Sequence, residues 1–110
     1  MDTQIDIIGA SSEVYRFRLV DSRGPQVRTG GTFIYVREGD DGEPEVVYAG
    51  QADNLMDEAM LRWPRAVEGY GATRVYARLR VSGSERRQEL QDLLDALRPP
   101  MNAAAGELAA

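Results

Sequence analysis

Two stretches of this chain alternate apolar and charged side chains with a period of two. In Val14 to Val20, Tyr15, Phe17 and Leu19 fall on one side and Arg16 and Arg18 on the other. In Thr73 to Val81, Val75, Ala77, Leu79 and Val81 oppose Arg74, Tyr76, Arg78 and Arg80. That period is the signature of half-buried strands and excludes an all-helical chain. A sheet with one face on a core needs something to cover it, so helices are expected between and after the strands.

The remaining segments fit that frame. Gln4 to Ile8 is a short apolar patch readable as a strand. Thr32 to Val36 and Glu45 to Gly50 are β-branched and aromatic, and Gly39-Asp40-Asp41-Gly42 between them is turn chemistry, which predicts a hairpin. Asp53 or Asn54 suits the N-cap of a helix from Leu55 to about Trp63, which Pro64 ends or restarts. Ser82 or Ser84 caps a second helix, Glu85 to Leu97, closed by Pro99-Pro100. The expected fold is α+β: a small, mainly antiparallel sheet of three core strands plus an N-terminal strand, flanked by helices. Residues 1–29 form an N-terminal strand extension packed on the domain, 30–102 the domain, and 103–110 a small-residue tail.

Composition removes whole classes of chemistry. The 110 residues include no cysteine and no histidine. Disulfides, thiolate zinc sites, cysteine nucleophiles and serine–histidine triads are therefore impossible. Any bound metal would be a hard, oxygen-ligated ion. All 13 basic residues are arginine, and the net charge is −5. An acidic chain is poorly suited to non-specific phosphate binding. The N-terminus lacks the basic and apolar regions of a signal peptide, and nothing approaches the roughly 18 apolar residues of a membrane span. A cytoplasmic protein with no membrane association is expected.

In order along the chain stand Gly31-Thr32-Phe33, Tyr48-Ala49-Gly50-Gln51, Asn54-Leu55, and Leu93-Leu94 leading to Arg98-Pro99-Pro100-Met101-Asn102. Together they resemble the GIY-YIG nuclease domain over roughly residues 30–102. The resemblance implies strand cleavage by a metal-bound glutamate, an arginine, and tyrosines near the attacking water. A carboxylate holds the ion on the phosphate, a guanidinium stabilises growing charge, and a tyrosine handles the nucleophile's proton.

Carried over residue by residue, the resemblance leaves this chain short of that machinery. The second motif tyrosine is kept as Tyr48. The first is Phe33, which has no proton to exchange. Tyr35 lies on the same strand face but about 7 Å further along. Met56 and Glu58 stand where arginines are expected, with the charge reversed at Glu58. Arg62, one turn on, either reaches into the site or pairs with Glu58. The metal glutamate falls on Leu90, which continues the stripe Leu90, Leu93, Leu94, Leu97. Glu89 is rotated about 100° away on the helix.

The expected function is a GIY-YIG-like module that no longer cuts and serves as a protein-interaction or accessory domain, with a protein partner or a second copy of itself. Two alternatives remain open. A non-cleaving nucleic-acid binder would use Arg16, Arg18, Arg74, Arg78 and Arg80 as one basic face, with Tyr76 for stacking. An active endonuclease would use the displaced residues Tyr35, Arg62 and Glu89 with Tyr48, and only then a Mg2+ cofactor. Arg86-Arg87 is expected to be a solvated helix face.

Overall fold

The computed structural model describes residues 3–108. Nine elements follow one another: β1 (Gln4–Ile8), β2 (Val14–Val20), β3 (Gly31–Glu38), β4 (Pro44–Ala52), α1 (Leu55–Glu58), α2 (Trp63–Tyr70), β5 (Arg74–Leu79), α3 (Gly83–Leu97) and α4 (Pro100–Ala104). The α+β class is as expected, but the sheet has five strands, in the order β1-β2-β5-β3-β4, rather than three plus one. All of its pairings are antiparallel. The difference lies in the N-terminal segment. Its two strands pair as a hairpin, and β2 then joins β5, so the sheet continues beyond its centre instead of receiving one extra strand.

Each helix boundary has a local cause. Asn54 caps α1, its Oδ1 accepting from the Asp57 N–H at 3.2 Å. Pro64 restarts a helix rather than ending one, standing in the first turn of α2, where its missing N–H costs nothing. Ser82 caps α3. Helices α1, α2 and α4 send Leu55, Ala59, Ala66 and Met101 into one core, with Phe33, Tyr35, Val47, Tyr48 and Val75 of the sheet. Helix α3 covers the opposite face, where Leu93 and Leu94 meet Ile7, Tyr15, Phe17, Ile34 and Tyr76.

The N-terminal hairpin is tied to α3 by Asp92. Its carboxylate accepts from the Ser11 N–H (2.8 Å), the Ser11 hydroxyl (2.6 Å) and the Tyr15 hydroxyl (2.7 Å). Those bonds, Ser11's side chain first, hold the Asp92 carboxyl below its ordinary range. Among the described residues no helix is long and apolar enough to cross a membrane.

Candidate functional site

The β3–β4 ladder shifts register between Tyr35↔Tyr48 and Val36↔Val46, leaving Val47 as the extra residue of a bulge. Val47 and Tyr48 consequently enter the same core cluster. Tyr48 stacks on Tyr35 with ring centroids 5.3 Å apart, and Phe33 lies 6.0 Å from Tyr48. Gly50 makes this possible: a Cβ there would stand 2.6 Å from Phe33 Cζ.

A cleft of about 420 Å³ runs along β4. The turn between α1 and α2 contributes Arg62, α3 contributes Arg87, Leu90 and Leu94, and the C-terminal segment contributes Asn102 and Glu107. Tyr48, Leu90 and Asn102, far apart in sequence but joined by the resemblance, thus line one cleft. Arg62 Nη1 donates a short hydrogen bond to the Tyr48 hydroxyl, and its guanidinium carbon stands 5.5 Å from the ring centroid. Burial pushes the Tyr48 phenol up, and the nearby Glu107 adds to this. Tyr48 therefore stays protonated in this cleft, its oxygen accepting from Arg62.

The other anticipated residues are placed as follows. Phe33 is buried in the aromatic cluster. Tyr35 is fully buried, and its hydroxyl donates to the Ala59 carbonyl at 2.6 Å, so it is spent on the fold. Glu58 does not line the cleft. Its Oε2 accepts from the Asn54 N–H at 2.9 Å, reciprocating the cap of α1. Met56 is exposed. Arg62 reaches inward and pairs with Glu107 at 3.1 Å, not with Glu58.

Glu89 does face away from the cleft, into the sheet. It is buried, accepting from the Thr32 hydroxyl (2.7 Å) and from Arg78 Nε (2.9 Å). Arg86 is buried too, contrary to a solvated helix face. Its guanidinium donates to the carbonyls of Arg80 (3.1 Å) and Val81 (2.7 Å), to Gln51 Oε1 (3.0 Å) and to Asp53. Paired polar groups of this kind replace apolar ones without leaving an orphan.

The arginines do not form one basic face. β2 neighbours β5, but the register Arg18↔Ala77, Leu19↔Tyr76 puts Arg16 and Arg18 on the opposite side of the sheet from Tyr76 and Arg78. Arg16 pairs with Asp6 (2.9 Å), Arg78 with Glu89 (2.9 Å) and Arg80 with Glu85 (3.4 Å). Arg74 Nη1 lies 3.5 Å from the Tyr76 hydroxyl. Tyr76 is buried, with no ring face offered for stacking.

Of two further cleft residues, motif spacing reached Asn102 without giving it a role, and Glu107 escaped sequence reasoning altogether. Asn102 is fully buried and acts as a strand in miniature. Its Oδ1 accepts from the Ala49 N–H and its Nδ2 donates to the Ala49 carbonyl, both at 2.9 Å, closing the outer edge of β4. Glu107 is delivered by the C-terminal turn of α4. Gly106 takes φ 73°, Gly106 N–H donates to Ala103 O (3.1 Å) and Glu107 N–H to Asn102 O (2.9 Å). This is the pairing of a Schellman motif, which glycine at that position favours. Glu107 Oε1 then accepts from Asn102 Nδ2 (3.1 Å) and Oε2 from Arg62 Nη1 (3.1 Å). The only sequence signal was a glycine shortly after a Pro-started helix.

A divalent ion does not fit this donor set. Leu90 offers no oxygen, and both oxygens of Glu107 already receive N–H groups. Among the described residues no cluster of three or more potential ligands forms. No protein-family model, curated protein or solved structure matches the chain.

Proposed function

We propose that the chain is a GIY-YIG-like domain without nuclease activity, serving as a protein-interaction or accessory module. One observation carries this reading. The cleft that collects Tyr48, Arg62 and Asn102 is lined by Leu90, the residue on which the resemblance would put a metal carboxylate, and the Arg62 guanidinium is paired with Glu107. Tyr48 stays protonated, Glu107 is engaged through both oxygens and Arg62 is paired. Among the described residues this leaves Arg87 on the rim as the cleft's cation without an ion pair, away from the Tyr48 hydroxyl that Arg62 holds. Two features support an interaction role: the −5 net charge, and an edge strand β1 whose Ile8 lies exposed across from an exposed Val14.

The test is a nicking assay on branched and single-stranded DNA with Mg2+ or Mn2+. The expected result is no cleavage above a buffer control, unchanged by Arg62→Ala. Cleavage that disappears in Arg62→Ala contradicts the loss of activity. A monomer that recovers no partner from extracts of its native cell contradicts the accessory role.

A further inference from the structure

Glu107 occupies its place as a ligand would. Each carboxylate oxygen meets a different donor, Arg62 Nη1 and Asn102 Nδ2, at the same 3.1 Å. Asn102 cannot turn away, because both ends of its amide are fixed on Ala49. With Glu107 withdrawn, one N–H of the buried Asn102 amide would face the cleft without a protein acceptor, and Arg62 would keep only Tyr48 and solvent. Tyr48 accepts from Arg62 through its oxygen, which leaves its own O–H proton to be given to a third acceptor atom. Beside these donors Leu90 and Leu94 give the cleft an aliphatic strip, with Gln91 and Arg87 along the same helix. The residue after Glu107, Leu108, packs against the second core cluster, against which Leu90 also packs. Glu107 thus lines the cleft beside Leu90 and Leu94, and the residue that follows it in sequence is aliphatic.

We propose that this cleft is a recognition site for a carboxylate-bearing peptide, an acidic residue followed by an aliphatic one that meets Leu90 and Leu94, and that the Glu107 carboxylate occupies its donor pair in cis. The proposal rests on the accessory-module reading and names the partner chemistry of the same site. Arg87, exposed on the rim, supplies further positive charge for an acidic segment. The aliphatic strip favours a side-chain carboxylate with an apolar neighbour over a bare phosphate dianion, which loses hydration beside leucines without compensation. The tail competes with any outside segment. A tail in place about nine-tenths of the time weakens apparent affinity about tenfold.

The test is a titration of wild type, Glu107→Ala and Glu107→Ala/Arg62→Ala with N-acetyl-Gly-Glu-Leu-amide. Amide chemical shifts of Ala49 and Gly50 and the side-chain amide of Asn102 report the site. Glu107→Ala is expected to bind about tenfold more tightly than wild type, and the double variant not to bind. The same peptide with glutamine in place of glutamate is expected not to bind. If Glu107→Ala fails to fold, Glu107→Gln keeps the shape, removes the charge and is expected to show the same direction of change. Three results overturn the proposal: no localised shifts at millimolar peptide in a folded variant, equal binding of the glutamine peptide, or inorganic phosphate binding more tightly than the peptide. Each of these leaves the nicking result untouched, so failure here is distinguishable from failure of the non-cutting reading.

Discussion

Replacing Glu89 with alanine withdraws the acceptor shared by Thr32 and Arg78. Glu89 has a side chain only 4% exposed, and Thr32 is fully buried. Removing one partner of a buried charge pair costs about 3–5 kcal/mol. Arg78 keeps 26% of its side chain in solvent, so water partly restores its hydration and the lower end applies. The stranded Thr32 hydroxyl adds about 1 kcal/mol. A total loss of about 4 kcal/mol is expected, dominated by the pair rather than the hydroxyl. With a urea m-value of about 1.5 kcal/mol per M, the unfolding midpoint falls by about 2.7 M. Urea denaturation followed by circular dichroism measures it, and Arg78→Ala with the double variant isolates the pair, with a coupling of about 1–3 kcal/mol expected. The loss should be the same in Mg2+ and in chelator, because Glu89 faces the sheet and not the cleft. A variant within about 1 kcal/mol of wild type would refute this account of Glu89. So would a loss confined to Mg2+-containing buffer.

Asn102→Ala leaves the N–H and carbonyl of Ala49 unpaired at the edge of β4; a loss of about 2–4 kcal/mol in urea denaturation is expected, and a change below about 1 kcal/mol speaks against the strand-mimic role. Tyr35→Phe removes one buried hydroxyl donor to Ala59 and should cost about 1 kcal/mol in the same measurement, with no effect on any activity of the cleft. Tyr15 carries a pH dependence: burial first, then the hydrogen bond to Asp92, pushes its phenol up to about 12. The unfolded chain ionises near pH 10, so this contribution is complete below about pH 10 and is lost as pH rises through about 12. Phenolate absorbance compared between wild type and Tyr15→Phe should show one tyrosine ionising near pH 12, whereas its ionising near pH 10 would remove the effect.

The strands were legible because period-two alternation survives any tertiary context. Tyr15, Phe17 and Leu19 reveal β2 whichever neighbour it finds. What alternation leaves open is which faces align. Arg18 opposite Ala77, one residue from Tyr76, decides that the two sets of arginines part company, and no local pattern encodes that register. On α3 the leucine stripe located the covered side only approximately. Buried Arg86 and Glu89 extend that face, yet they look like surface residues to any hydrophobicity argument. Their partners, Asp53 and Gln51 for one and Thr32 for the other, lie on distant strands or loops. Within the cleft, Tyr48, Leu90 and Asn102 were reached through motif spacing. Glu107 was not, because its role depends on a chain reversal at Gly106 that points one acid at Arg62.

Whether the cleft can hold a divalent ion is decided most directly by titrating Mn2+ into the isotopically labelled protein and following paramagnetic broadening of the Ala49, Gly50 and Asn102 signals. With Leu90 facing the cleft and Glu107 committed to Arg62 and Asn102, the expected outcome is no saturable broadening there at submillimolar Mn2+. Saturable broadening confined to those residues, and abolished by Glu107→Ala, would mean that an ion displaces Arg62 from the carboxylate and that the cleft retains the makings of a hydrolytic centre.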